Sequence, residues 1–311
     1  AQIAVMGHVM VPEMERRGYN REFAAAVTAA GGLMAPIIPP SMLFVIYGVL
    51  AQISIGDMFI AGILPGLLMG ALFIGVVALM GFFYEYPRGD QMSRHEAWRA
   101  LLGALPSLSI PVVIIGGIAA GIATPTESAA LAAVAAIVVG ASVHREFRLS
   151  QVPAMMTRLV ANSATVLFLV ATANVFGWIV VYEKVPQTIA AYMQSLTNDP
   201  FVFLLLLNLL LLVVGCVIDA IAALILIVPI VLPIAVAAYG IDPFHFGVVI
   251  CLNLVLGLLT PPVGTGLFVA ASVSGCKATD IVKPLAPFLL ATILVIVLLA
   301  WQPVLTTLFI Q

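Results

Sequence analysis

Gly257-Leu258-Leu259-Thr260-Pro261-Pro262-Val263-Gly264-Thr265-Gly266 interrupts an apolar run that extends from Phe244 to Val273. That run exceeds the about 20 apolar residues with which a helix crosses hydrocarbon. Its two prolines remove backbone N–H groups and free carbonyls one turn upstream. Near the other end of the chain, inside the run 23–53, Gly31-Gly32-Leu33-Met34-Ala35-Pro36-Ile37-Ile38-Pro39-Pro40-Ser41 carries three prolines in the same manner. Two long apolar runs are thus broken in mid-course, and by the same means.

The composition around these breaks belongs to a membrane. Of 311 residues, 63% are hydrophobic and 8% charged, with a mean hydropathy of +1.21. An ordinary soluble domain has about 45–50% apolar and about 25% charged residues. So few charges cannot solvate a fold of this size, which excludes a soluble enzyme. A net charge of −2 gives no basic face for nucleic acid. Cys216, Cys251 and Cys276 are widely spaced, and His8, His95, His144 and His245 form no cluster, so neither a zinc site nor a disulfide framework is expected. No nucleophile elbow, zinc-protease helix or phosphate loop is present, and enzymatic chemistry has no support. No cleavable signal peptide is visible. The chain opens at Ala1 in mid-pattern, which is expected of a piece of something longer.

Apolar runs are read at 23–53, 58–84, 100–122, 125–143, 156–182, 201–239, 244–273 and 281–310. The run 201–239 is broken near Gly215 and Asp219, and reads as a re-entrant hairpin that enters and leaves from one side. A plain double crossing would leave the loop sides unchanged. Following the runs in order, Arg16, Arg17, Arg21, Arg88, Arg94, Arg99, Arg145, Arg148, Arg158, Lys277 and Lys283 fall on one side and Lys184 alone on the other. Positive residues accumulate on the cytoplasmic side. The C-terminus then lies on the far side.

The two ends of the chain resemble each other at an offset of about 222 residues: Gly18 answers Gly240, Pro39-Pro40 answers Pro261-Pro262, and Val9-Met10-Val11-Pro12 answers Ile230-Val231-Leu232-Pro233, one residue out of step. The loops at Gly18 and Gly240 fall on opposite sides, which predicts inverted repeats, the architecture of many secondary carriers. The expected fold is an all-α polytopic membrane protein with inverted repeats, re-entrant hairpins and Pro-Pro-broken helices. Its regions are a first-repeat transport region (1–75), connecting and scaffold helices (76–199), a second-repeat transport region (200–275) and a C-terminal helix (276–311). Freed carbonyls with a threonine oxygen suit a hard cation such as Na⁺, and an exposed half-helix N-terminus suits an anion. Asp219, an intramembrane carboxylate at the hairpin break, is either an ion ligand or the N-cap of the next helix. Thr124-Pro125-Thr126-Glu127 reads as a capping box with proline at N1, with Glu127 as a buried proton carrier the alternative. Gly66–Gly70 and Gly117–Gly121 have the spacing of helix contacts.

Several motifs together carry a family resemblance. Val11-Pro12-Glu13-Met14 with Arg17-Gly18-Tyr19, Ile38-Pro39-Pro40-Ser41, Thr124-Pro125-Thr126-Glu127, Gly240-Ile241-Asp242-Pro243 with His245-Phe246-Gly247, and Leu259-Thr260-Pro261-Pro262-Val263-Gly264 resemble the large membrane subunit of tripartite ATP-independent periplasmic (TRAP) transporters over essentially the whole chain. The resemblance implies a Na⁺-driven elevator carrier in the bacterial inner membrane, surrounded by membrane lipid, that imports organic acids such as C4-dicarboxylates and sialic or sugar acids. It also implies two partners, a small four-helix membrane subunit and a periplasmic substrate-binding protein. Members of the family carry further helices and a Ser-rich hairpin tip upstream of the position of Ala1, so the first hairpin is represented here only by its outgoing arm. Carried onto this chain, the first Na⁺ site takes Gly31, Met34 and Pro36. The second takes Gly215 with Gly257, Thr260 and Val263, and has Asp219 nearby. The substrate carboxylate falls between the breaks, close to Ser41 and Thr265. A proton-coupled carrier, leaning on Asp219 or Glu127, and a passive anion channel are the alternatives.

The charge count gives a direct test. Cysteine accessibility labelling should place residue 88 in the cytoplasm, and residue 184 and Gln311 in the periplasm. Finding residues 88 and 184 on one face would overturn the orientation.

Overall fold

The computed structural model describes residues 2–83, 86–87, 93–143 and 149–310. Ala1, Tyr84, Arg88, His144, Arg145, Arg148 and Gln311 lie outside the described residues. The described chain is all-α. Its helices are α1 (Gln2–Arg16), α2 (Arg21–Met34), α3 (Met42–Ala51), α4 (Ile55–Phe83), α5 (Arg94–Ala119), α6 (Pro125–Ser142), α7 (Val152–Tyr182), α8 (Val185–Leu196), α9 (Pro200–Val217), α10 (Ala220–Tyr239), α11 (Pro243–Gly257), α12 (Thr265–Ser274), α13 (Ala278–Trp301) and α14 (Val304–Thr307). Seven described helices, four of which are α4, α9, α10 and α13, are long and apolar enough to cross a membrane.

Two compact units form, residues 1–88 with 177–311, and residues 89–176. In the larger unit the repeat predicted from sequence is visible element by element. The arms α1 and α10 each end at a glycine in the left-handed region, Gly18 (φ 89°) and Gly240 (φ 64°), where a side chain would be strained. Asn20 and Asp242 then stand at the N-caps of α2 and α11; Asp242 accepts from the N–H groups of Phe244 (2.9 Å) and His245 (3.0 Å). Each of these helices stops before a break that contains a Pro-Pro peptide, cis in both repeats. A ten-residue half-helix follows, α3 or α12, and each half-helix is closed by a left-handed residue, Gln52 or Gly275. A long helix comes next, α4 or α13, with proline inside.

Packing exchanges the halves. The half-helix α3 lies against α10, the arm of the other repeat, and α12 lies against α1. At the centre stands α11, in which every residue from His245 to Gly257 is buried. Apart from His245 and Asn253 its buried side chains are apolar or absent on every face, as in a helix enclosed by others or by a membrane. Because lipid tails are as apolar as leucine, close approach at small residues rather than the hydrophobic effect holds such helices together. Tyr47 of α3 lays its ring over Gly247 and donates its hydroxyl to the carbonyl of Pro243 (2.6 Å). Gly62, Gly66 and Gly70 of α4 form a stripe at four-residue spacing that receives Phe44, Ile38 and Met34. The Gly66–Gly70 spacing therefore marks the seat of the first break.

Some expectations change. The last apolar run is two helices, because Gln302-Pro303 ends α13 at Trp301, so residues 276–311 are not a single helix. The polar connection after Tyr182 contains α8, whose Pro186, Ile189, Ala190 and Met193 turn inward at helical spacing. In the smaller unit α6 starts on the expected capping box: Thr124 Oγ1 accepts from Glu127 N (3.3 Å) and Glu127 Oε2 from Thr124 N (2.8 Å). A second box at Ser93 and Glu96 starts α5. Gly121 is not a helix-contact residue; it forms the left-handed turn after α5.

A methyl group at Gly247 would stand 2.2 Å from the Tyr47 ring. Gly247→Ala should therefore cost about 1–3 kcal/mol through overpacking. Adding Tyr47→Leu should restore part of that loss, since neighbours in contact are not additive. Thermal unfolding of the three variants in detergent measures this, and a neutral Gly247→Ala would contradict the packing.

Candidate functional site: two helix breaks and a hairpin end

At the first break, the Met34 carbonyl accepts from Ile37 N (3.0 Å) and Ile38 N (2.9 Å), which turns the chain out of α2. The Ser41 hydroxyl donates to the carbonyl of Pro36 and accepts from Phe44 N (3.2 Å), capping α3. Ser41 is buried and serves this break as an N-cap. Gly31 lies on an open face of α2, with space beside its Cα. Of the three residues assigned to the first cation site, Met34 already has two donors on its carbonyl, Pro36 has one, and Gly31 faces open space.

The second break is built with outside help. Leu258, Leu259 and Thr260 N–H groups donate to Val255, Leu256 and Gly257 (each 3.1 Å), so the end of α11 tightens. Thr260 Oγ1 donates to Leu256 O (2.8 Å), which uses its proton and leaves its lone pairs free. After Pro261-Pro262 the chain turns at Gly264 (φ 51°), where a side chain would meet the carbonyls of Thr260 (3.0 Å) and Leu258 (3.2 Å). The Gly264 N–H donates to the carbonyl of Cys216 at the end of α9 (3.0 Å), and Gly266 N donates to Leu258 O (2.8 Å).

That bond requires α9 and α11 to meet backbone to backbone, and they do so at Gly215 and Gly257. A Cβ at Gly257 would lie 2.5–2.9 Å from the carbonyl carbon, Cα and oxygen of Gly215. Among the described residues no backbone N–H outside the helices donates to Gly215 O. Asp219 follows, exposed, with Oδ1 accepting from Ile221 N (3.0 Å) as the N-cap of α10. Tyr239 donates to Thr197 O (3.0 Å) and stacks on Phe203, so the start of α9 and the end of α10 meet at the hairpin's other end. Each arm is long enough to cross a membrane by length and composition alone. The hairpin's closed end nevertheless sits beside a break from which α12 continues.

Gly215, Gly257 and Thr260 thus come together, with Val263 next to the Gly264 turn and Asp219 at the hairpin end. The residues next to Gly31 and Thr265, Gly32 and Gly266, share a neighbour: the Ile3 side chain of α1 packs against both. Thr265 opens α12, a helix without a side-chain N-cap, and is exposed. The donors at the breaks are carbonyl and hydroxyl oxygens. Among the described residues no three His, Cys, Asp or Glu side chains converge. Oxygen donors of this kind suit a hard cation rather than a transition metal. A cavity of about 840 Å³ lies away from the breaks, between the start of α2, the end of α4 and the start of α13, with Glu22, Asp280 and Lys283 among its lining residues. It contains none of the break residues and supplies no part of this site.

Two groups escaped the sequence reading: the Cys216 carbonyl, which carries no sequence signal, and Gly264, which a glycine two residues after a Pro-Pro pair could have flagged. The contact also makes an ordered prediction. Gly257→Ala, which meets backbone that no rotamer change can move, should cost about 1–3 kcal/mol of stability. Gly215→Ala, whose nearest atoms lie at 3.2–3.5 Å, should cost less. Equal losses in thermal unfolding would show that the two helices do not touch there.

A family model described as the tripartite ATP-independent periplasmic transporter, DctM component, matches residues 1–305. The chain is 40% identical over 320 residues to the isethionate TRAP transporter permease protein DctMQ of Oleidesulfovibrio alaskensis, covering 99% of the chain and 49% of that protein. It is 39% identical over 307 residues to the sialic acid TRAP transporter large permease protein SiaM of Vibrio cholerae, covering 97% of the chain and 71% of that protein. It is 34% identical over 303 residues to the C4-dicarboxylate TRAP transporter large permease protein DctM of Pseudomonas aeruginosa, with the same two shares. The chain therefore spans about half of the first relative and about seven-tenths of the other two. These relatives are named as transporter permeases and not as enzymes. With paired breaks, a hairpin end docked on the second of them and a family match over nearly its whole length, the chain belongs to the DctM component family of the TRAP transporters.

Proposed function

We propose that this chain is the ion- and substrate-handling part of a sodium-coupled importer of small organic acids in the bacterial inner membrane. One observation carries the reading: the hairpin end is bonded to the second helix break, and the Gly215 carbonyl and Thr260 oxygen are left with lone pairs to spare. Broken helices with unwound carbonyls are where secondary carriers coordinate Na⁺. In this reading Gly215, Gly257, Thr260 and Val263 hold one Na⁺ with Asp219 nearby, and Gly31 and Pro36 contribute to another at the first break, where Met34 would first have to release its two donors. The substrate carboxylate sits between the breaks, toward the N-termini of α3 and α12 that begin at Ser41 and Thr265. The positive end of a helix dipole favours an anion there. Relatives named for isethionate, sialic acid, C4-dicarboxylates and 2,3-diketo-L-gulonate support an organic acid as the cargo class. The two repeats, inverted across the membrane, move as an elevator, with a periplasmic binding protein delivering substrate and a small four-helix membrane subunit alongside. The C-terminus is periplasmic.

Uptake of labelled organic acid by the complete transporter in liposomes should require an inward Na⁺ gradient. Thr260→Ala should raise the half-saturating Na⁺ concentration roughly ten- to a hundredfold, as expected for losing a ligand worth about 1.5–3 kcal/mol. Asp219→Asn should keep the N-cap, since both residues cap well, and should shift the pH profile only if the carboxylate reaches the ion. Uptake driven by a proton gradient without Na⁺ would overturn sodium coupling. An unchanged half-saturation in Thr260→Ala would remove that oxygen from the site.

A further inference from the structure

Among the described residues four buried side-chain atoms lack a hydrogen-bond partner, and two of them belong to one couple: Asn208 Nδ2 and Asn253 Oδ1. Asn208 lies on α9 and Asn253 on α11, 7% and 2% exposed. Asn253 Nδ2 donates to both the main-chain carbonyl and the side-chain Oδ1 of Asn208, each at 3.0 Å. Asn208 precedes Gly215 by seven residues and Asn253 precedes Gly257 by four. Both spacings return to the same helix face, so the amide couple and the glycine contact lie along one α9–α11 seam.

Such a couple is costly here. It leaves a donor and an acceptor unpaired, and apolar side chains of similar size would pack the seam with less desolvation. What amides supply and leucines do not is axial register, the best-attested role of a single buried polar contact between helices. We infer that Asn208 and Asn253 are positioning residues, a clasp that fixes α9 along α11 so that the Gly215 and Cys216 carbonyls arrive at the Pro-Pro break. The inference rests on the sodium reading above. α11 is buried along its whole inner length and acts as the post; α9 is the arm held against it. If α9 slides on the post by a fraction of a turn, the Gly264-to-Cys216 bond is lost and Gly215 O leaves the ligand set, while the helices remain folded.

The test uses the complete transporter in liposomes and the double variant Asn208→Leu/Asn253→Leu. Removing both partners leaves no polar atom orphaned, so stability should equal or exceed the wild type. Half-saturating Na⁺ should rise roughly three- to twentyfold, the range of one interhelical hydrogen bond in a membrane bundle. Asn208→Ala, which keeps the bond to the main-chain carbonyl, should give a smaller rise. A second readout does not depend on transport. Native Cys216, buried with its Sγ donating to Pro261 O (3.6 Å), should react faster with a thiol reagent in the double variant made in a Cys276→Ser background. Cys251, buried in α11, should remain unreactive. Unchanged Na⁺ dependence together with unchanged Cys216 labelling would overturn the clasp. A wild-type transporter indifferent to Na⁺ would overturn the sodium reading instead, and the Cys216 labelling rate would then decide the clasp alone.

Discussion

The contact on which the rest of the site depends is between two stretches of backbone, at Gly215 and Gly257. In a bilayer, main-chain polar groups outside regular helices have to be satisfied by protein or by a water-filled cavity. The break after α11 does this only in part for itself, since Gly266 N reaches Leu258 O while the Gly264 N–H takes its acceptor from another helix. The partner is the Cys216 carbonyl, and it reaches Gly264 only because neither helix carries a side chain at the crossing. The hairpin is therefore part of the broken helix's hydrogen bonding and not a neighbour packed beside it.

The two repeats share an element order but close their breaks differently. In the first, satisfaction is internal: the Met34 carbonyl takes two N–H groups, and Ser41 bridges the Pro36 carbonyl to the start of α3. In the second, internal bonds such as Gly266 N to Leu258 O are joined by one to another helix, Gly264 N to Cys216 O. The first break is thus held by bonds within its own segment, whereas the second also depends on the meeting of α9 and α11. Packing across the repeats ties both to one body, since Tyr47 of the first repeat fills the hole over Gly247 of the second, and Ile3 packs between Gly32 and Gly266.

Much of this was legible in the sequence. The apolar runs, the Pro-Pro breaks, the glycine turns at Gly18 and Gly240 and the capping box at Thr124 each rest on local stereochemistry or on the solvent a side chain requires. They are properties of a few consecutive residues. The Gln302-Pro303 stop carried a readable signal of the same kind, obscured by the hydrophobicity around it. Helix α8 was hidden for the opposite reason, since its inward residues are too few and too mild to stand out from a polar connection.

The sequence by itself determined that the chain lies in a membrane, where its helices break, and that its two ends repeat. These follow from composition, from the missing N–H of proline and from the spacing of identical motifs. Only the tertiary structure decided which carbonyls remain free. Ser41 and Thr265 looked alike as hydroxyls beside a break, yet Ser41 is buried as a cap and Thr265 is exposed at the start of α12. Cys216, Asn208 and Asn253 stand inside apolar runs with no local signal, and their partners lie 45 or more residues away. A main-chain carbonyl has no residue type to betray it, so its role depends on which helix comes within hydrogen-bonding distance.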